Sequence, residues 1–451
     1  MTLRGKWLAP LVFFQVYLGI TILLYLFGPW PWGTANQDFV VGYLMLAQVF
    51  IAFGYFLSWR KVSRIGRDGA SISHFHKPVV TFLKVALLVN YAFFIPSSLS
   101  RTGALVPDII FGLTSPGLSY NLNFERLEQG NSFVFVEYAR MLLSPWIIGL
   151  FPVAVVHWKS LSRSIKYLSF GAVLLNISLF VGTGTNKGLA DFVITLPWLI
   201  SLGVSLGYLN VRLNSRILVV FGVLIVALFG FFGAGQVQRA GDTGVLGAFD
   251  SGDGIIFADR DHFVSIWLPD FLVIVFESIT RYVTQGYYAL SLTFTIVSDT
   301  TFGFGNSMFL ARNADALTGS AYFTSQSLPG LLEQSHGWSM TGLWHSIYPW
   351  LASDFGFFGA LIVVGGFGYI LGLSWGLSLV APHPINIIIC YFVFIVFYYI
   401  PANNQIFQSG ETAVGFVLCC LYALTVGQKK LTFLHSNNDK KNKANGAQFG
   451  Q

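Results

Sequence analysis

Charge is what this sequence has least of. Of its 451 residues only 10% are Asp, Glu, Lys or Arg, against 54% hydrophobic, and the mean hydropathy is +0.64. Soluble domains carry about a quarter charged residues, so this chain cannot cover a water-facing surface. Cysteine is scarce too: Cys390, Cys419 and Cys420 all fall inside apolar runs, which excludes a disulfide framework or a zinc site built on thiolates. There is no HExxH metal motif and no GK[ST] ending to a phosphate loop, and the one GxSxG match, GLSWG at 372–376, lies inside an apolar span-length run instead of on the strand-to-helix turn a nucleophile elbow needs. The net charge of +6 is no argument for nucleic acid, because the basic residues cluster in short connections between apolar runs. Metalloprotease, nucleotide-triphosphatase and serine-hydrolase chemistry are therefore without a motif, and no cofactor is called for.

What is present is a series of apolar runs, each near the roughly 20 residues that cross a bilayer as a helix. They lie at 8–28, 39–58, 78–97, 132–156, 167–184, 190–209, 217–235, 355–379, 384–401 and 411–427. The runs are too long for barrel strands, and backbone in lipid must be satisfied within helices or closed barrels. The expected fold is an all-α, polytopic integral membrane protein of about ten spans. The first run follows MTLRGK and is too long for a cleavable signal peptide, so it reads as a retained span. Lys and Arg set the orientation. Arg4, Lys6, Arg60, Lys61, Arg64, Arg67, Lys77, Lys159, Arg163, Lys166, Arg212, Arg216 and the tail lysines fall on one side. That is 17 of 26 basic residues, and it places both termini in the cytoplasm. The tail 428–451 is polar and reads as disordered.

One interruption stands apart. Residues 236–354 separate the seventh and eighth runs and face outward in this topology. They carry Arg239, Arg260, Arg281 and Arg312 but no Lys. A connection of that length in an ordered chain usually carries function. Within it, 263–297 is apolar enough to enter the membrane, yet Pro269, Asp270, Glu277, Arg281 and Gln285 interrupt it. One or two helices lying in the interface or re-entering suit this pattern; two crossings would raise the count to twelve spans.

The informative cations are those that topology does not explain. Arg140 sits in a span one turn after Glu137; the pair either neutralises itself or marks an anionic head-group site. Lys187, in GTGTNKGLADF, either snorkels from a tight turn or joins backbone amides around a phosphate. Arg281 lies four residues after Glu277, with Tyr288 on the same helical face. Arg239 and Arg312 complete the candidate anion ligands. For proton transfer the candidates are His345, His336, Glu277 and Asp354. His345 ranks before His336 because it stands closest to the eighth span. Asp354 also reads simply as that span's N-cap. Trp338, Trp344 and Tyr348 form either an interfacial belt or flat platforms for sugar rings.

Three segments carry a resemblance. WLASDFGFFGALIVVGGFGYILG resembles the DFGxxG segment and Gly-rich span of the bacterial oligosaccharide repeat-unit polymerases (Wzy-type O-antigen and exopolysaccharide polymerases). RYVTQGYYALSLTF looks like that family's Tyr-rich external helix. GTGTNKGLADFV is similar to its small-residue turn before a span, except that Lys187 stands where the family usually has Arg. The resemblance implies a GT-C-like architecture in the bacterial inner membrane and a metal-independent glycosyltransferase. Its implied substrate is undecaprenyl-diphosphate-linked oligosaccharide, joined into surface polysaccharide at the periplasmic face. A chain-length regulator protein and membrane lipids are the implied partners. A ligase that moves finished glycan is the same-class alternative; a polysaccharide flippase and a non-catalytic scaffold are the others.

Overall fold

The computed structural model describes residues 2–34, 36–67, 76–128, 133–209 and 247–425, with isolated positions between 219 and 230. The run at 217–235, Arg239 and the tail therefore lie largely or wholly outside the described residues. Within them the fold is mostly helical. Strand is confined to one antiparallel hairpin, β1 (Ala248–Asp250) and β2 (Ile255–Phe257).

Among the described residues seven helices are long and apolar enough to cross a membrane. They are α1 (Leu3–Phe27), α2 (Gln37–Arg67), α3 (His76–Thr102), α6 (Val134–His157), α7 (Arg163–Gly182), α8 (Asn186–Ser205) and α14 (Ile347–Val380), with the short α4 (Ile109–Thr114) and α5 (Pro116–Glu128) between α3 and α6. Two shorter apolar helices, α15 (Pro384–Tyr399) and α16 (Gly410–Thr425), pack in the same bundle. At 1.5 Å per residue each is about 24 Å long, short of a roughly 30 Å hydrocarbon core. The turn that joins them stays inside the protein: Pro401, Ala402, Asn404, Gln405 and Ile406 are all buried. Irregular backbone at that depth is tolerated only where protein covers it. Here it is covered by Ser346 N–H donating to Ala402 O, Asn404 Nδ2 donating to Asn306 O, and Ser307 Oγ donating to Phe407 O.

The helices alternate in direction, so their ends gather on two faces. Lys6 Nζ reaches Ser205 O, Trp7 Nε1 reaches Gly372 O, and the His157 ring lies against Tyr208. The ends near 27, 37, 102, 134, 182, 347, 399 and 410 form the other face, which also carries everything from 247 to 346. α15 is buried on almost every side, as befits an apolar helix without a polar stripe. Against α2, α14 presents Gly365, Gly368, Gly372 and Gly376 at helical spacing. A Cβ on Gly368 would sit 2.3 Å from Ile51 O, and one on Gly54 would sit 1.8 Å from Gly365 O. Small residues let two backbones approach where lipid offers no hydrophobic drive, and this contact is the reason for the Gly-rich sequence.

The long helix between the hairpin and α14 is α10 (Asp270–Thr293), which Pro269 and the acidic Asp270 start. It runs along the α1–α2 connection instead of through the bundle. Trp30 Nε1 donates to Glu277 O at 2.9 Å, Trp32 Nε1 to Thr284 Oγ1 at 3.1 Å, and Asn36 Nδ2 to Ser291 O at 2.9 Å. Gly286 lets it press on the floor: a Cβ there would meet Pro401 O at 2.2 Å and Ser346 N at 2.5 Å. Residues 263–297 thus contribute one short helix, α9 (Phe263–Trp267), and one continuous helix across the helix ends.

α14 begins at Ile347, eight residues before the expected span start, and bends at Gly356, whose φ of 64° breaks the helix. Asp354 precedes the bend and does not cap it. Its carboxylate accepts from Gly303 N (2.8 Å), Asn306 N (2.8 Å), Asn306 Nδ2 (2.8 Å) and Thr301 Oγ1 (2.5 Å). These bonds tie the 301–306 loop to the top of α14.

Candidate functional site

The spacing 277, 281, 284, 288 places Glu277, Arg281, Thr284 and Tyr288 on one stripe of α10. The stripe faces an aromatic floor from the α1–α2 connection. Trp30 and Trp32 stack at 6.0 Å and 28°, and Trp32 stacks on Tyr288 at 5.2 Å and 28°. The Arg281 guanidinium lies 6.0 Å above the Trp30 ring, within reach of a cation–π attraction. At the Arg281 end the buried Glu277 faces Arg260 at 3.5 Å, both under Gly247. Burial pushes the Glu277 carboxyl up, and Arg260 partly counters this. Glu277 thus pairs with Arg260 across the hairpin, where the sequence spacing pointed to Arg281.

At the Tyr288 end stands a His–Asp pair. His336 closes α13 (Leu328–His336), and Gly337 caps that helix in the left-handed region. The turn DSGDG between β1 and β2 docks on this cap so closely that a Cβ on Gly252 would sit 2.2 Å from the Gly337 carbonyl carbon. The contact brings Asp253 Oδ2 to 2.9 Å from His336 Nδ1. An aspartate on Nδ1 fixes the tautomer with Nε2 as the free acceptor. Both side chains keep solvent access, 30% for His336 and 58% for Asp253. Burial raises the Tyr288 hydroxyl above its ordinary pKa and the Asp253 charge adds to that rise, so the pair stands near the Tyr288 end of the stripe.

His345 is placed differently. It is 1% exposed, against Trp338 and Trp350, and its Nε2 is 3.1 Å from Ser339 O. Nε2 therefore carries the proton and donates, and Nδ1 has no partner among the described residues. Nearness to a span put the His345 ring in the core and not at the open surface the sequence suggested, and His336 is the more accessible of the two. Burial pushes its pKa from 6.5 down to about 4. Between those values the unfolded chain binds a proton that the folded chain refuses, so stability falls as pH drops through the window. The full loss is about 3 kcal/mol. We expect the thermal midpoint in detergent to fall between pH 7 and pH 4.5, and His345→Gln to flatten much of that slope. An unchanged slope in His345→Gln would assign the acid sensitivity elsewhere.

The remaining candidates divide. Trp338 (0% exposed) and Tyr348 (2%) are core residues with no face for a sugar. Trp344 is half-buried and packs on Tyr282 at 5.0 Å. Asp354 is saturated by the four bonds described above and has no lone pair placed for a proton. Lys187 Nζ pairs with Asp191 Oδ2 at 3.2 Å, with Asp191 buried. Arg312 is exposed on α11 (Met308–Thr318), which packs against α12 (Tyr322–Gln326). Arg140 is buried in a four-charge network. Its Nη2 donates to Glu411 at 2.6 Å, Glu137 lies 4.0 Å from its Nε, and Arg101 Nη2 bridges Glu137 at 3.2 Å and Glu411 at 2.5 Å. Two guanidiniums and two carboxylates balance, which leaves no net charge for an anionic ligand.

Sequence reasoning passed over Asp253, Trp30, Trp32, Asp191 and Glu411. Asp191 had a signal, since it stands four residues after Lys187 on a helix. Asp253 had none, for its partner is 83 residues away. No group of three or more His, Cys, Asp or Glu side chains among the described residues is arranged to hold a metal ion. No protein-family model, no curated protein and no solved structure matches this chain.

Proposed function

We propose that this chain polymerises oligosaccharide units carried on a polyprenyl diphosphate such as undecaprenyl diphosphate, at the outer face of the bacterial inner membrane. The observation that carries the reading is the α10 stripe, with a cation over an indole at one end and an oriented, accessible histidine at the other. Seven residues of helix separate Arg281 from Tyr288, about 10 Å, which is the span of a diphosphate plus one sugar. The orientation rests on the positive-inside bias, which puts the loop-rich face outward and both termini in the cytoplasm. The GT-C-like family resemblance points the same way.

In this reading an acceptor sugar hydroxyl attacks the anomeric carbon of the donor unit. The carbon–oxygen bond to phosphate breaks, and the electron pair leaves with the diphosphate. Arg281 stabilises that developing charge. The hydroxyl proton passes to His336 Nε2, and Asp253 stabilises the resulting imidazolium. Tyr282 and Trp344, both half-buried, are the aromatic surfaces left for sugar. The half-buried faces of the outer helix ends and the surrounding lipid hold the polyprenyl tail. A chain-length regulator would dock on the same outer face.

A transporter is the second reading, favoured by the buried charges of α3, α6, α8 and α16. Those charges pair with one another, however, and do not line a passage. Deletion followed by gel analysis of the surface glycan separates the readings. Single repeat units capped on lipid indicate a lost polymerase; full-length polymer left on carrier, a lost ligase; lipid-linked units trapped inside, a lost flippase. Within the polymerase reading, His336→Gln and Asp253→Asn should each slow polymerisation, His336→Gln by about 10²–10⁴-fold, at normal protein abundance. His345→Gln should retain activity at pH 7. Normal polymer from His336→Gln together with none from Glu277→Gln would move the base to Glu277.

A further inference from the structure

One short stretch beside the α1–α2 connection turns its apolar side chains away from the protein. α9 carries Phe263 (67% exposed), Ile266 (66%) and Trp267 (85%) at the spacing of one helical face, and Ser265 is its buried residue. α10 shows no such face: from Val273 to Thr293 none of its residues is exposed. His262 fixes α9 in place. Val264 N donates to its Nδ1 at 3.3 Å, so Nε2 carries the proton and donates to Phe27 O at 3.0 Å. That oxygen is one of the carbonyls that the last turn of α1 leaves without a helical partner. Three residues before His262, Asp259 N donates to Pro29 O at 2.6 Å, and the His262 ring stacks on Phe276 of α10 at 5.9 Å.

Phe27 is also where the exposed stripe of α1 ends. Val12, Val16, Ile20, Leu23 and Phe27 are all exposed and recur at steps of three and four along a helix long and apolar enough to cross a membrane. The rise from Lys6 to Phe27 is about 32 Å, close to the roughly 30 Å of a hydrocarbon core, so Phe27 stands at its boundary on the loop-rich face. We propose that α9 is a membrane anchor. Phe263, Ile266 and Trp267 enter the leaflet on that face at the level of the lipid head groups and upper acyl chains, and they continue the α1 stripe. α9 itself carries no charge; Asp261 before it and Asp270 after it are exposed and face the head groups. An indole, apolar with one N–H, suits that level. A protein partner or a second copy fits less well, because lipid already covers the stripe that Phe27 ends. α9 follows the β1–β2 hairpin, so the anchor holds the Asp253 turn at a fixed height over the bilayer. The inference uses only the membrane level of α1 and does not rest on the polymerase reading.

The test is nitroxide spin labelling of the whole chain in lipid nanodiscs, with the wild type labelled in parallel to subtract Cys390, Cys419 and Cys420. Collision with oxygen, which concentrates in lipid, is compared with collision with a water-soluble nickel chelate. Trp267→Cys is expected to give an oxygen-to-nickel ratio near that of Leu23→Cys, on the α1 stripe, and well above that of Asp261→Cys. The Trp267 side chain stands clear of the protein, so its replacement removes little packing, and Ile266→Cys repeats the reading. A ratio at 266 and 267 equal to that at 261 puts α9 in water and overturns the proposal. Low collision with both reagents means that protein covers the face, as a second copy or a partner, and overturns it as well.

Discussion

Arg281→Ala is expected to cut polymer synthesis by about 10²–10³-fold, the usual cost of removing one preorganised donor from a developing anion. The loss should appear in turnover at saturating substrate, because the charge on the leaving diphosphate grows as the glycosidic carbon–oxygen bond breaks. Arg281→Lys should lose nearly as much. An ammonium keeps the charge but not the planar fork that bonds two phosphate oxygens at once, nor the flat face above Trp30. Arg140→Lys and Lys187→Arg, by contrast, alter cations already held by Glu411 and Asp191, and their effect should follow protein abundance. The measurement is chain-length distribution in proteoliposomes supplied with purified lipid-linked units, normalised to protein by immunoblot. Wild-type chain length from Arg281→Ala would remove this residue, and the α10 stripe with it, from the site.

Local periodicity made part of this site legible. The relation of Glu277, Arg281 and Tyr288 follows from helical spacing alone, and so does the Glu137–Arg140 pair, separated by 4.0 Å. Span positions followed from hydropathy because lipid forces backbone pairing into helices. What failed to show was whatever depends on distant partners. Asp354 read as a cap because its four donors lie 48 to 53 residues upstream. IPANNQIFQSGE lies between the last two apolar runs and carries six polar residues, which usually seek water. In the fold α10 and the 301–307 loop cover it, and protein groups replace the water. His345 read as a surface base because it borders a span; the aromatic neighbours that suggested a membrane belt instead enclose it. Aromatic-rich sequence at a span boundary is ambiguous between belt and core, and only burial decides.

Glu411→Gln tests the other charged cluster and should be the most destabilising change in the bundle. One Glu411 oxygen accepts from Arg140 at 2.6 Å and the other from Arg101 at 2.5 Å. Removing that charge leaves the buried Arg140 and the half-buried Arg101 facing the single carboxylate of Glu137. Breaking a buried pair in this way costs about 3–5 kcal/mol. We expect a clear fall in thermal midpoint in detergent and lower protein abundance in the membrane. The double variant Arg140→Leu with Glu411→Leu should recover part of the loss. It removes one charge of each sign and leaves Arg101 with Glu137 at 3.2 Å, and apolar replacement of a buried pair is often near neutral. The cycle of single and double variants isolates the coupling. It also separates a structural clamp from an anion seat: a seat would gain positive charge in Glu411→Gln and hold diphosphate more tightly. A wild-type midpoint in Glu411→Gln, with raised affinity for the lipid diphosphate, would return Arg140 and Arg101 to the substrate site.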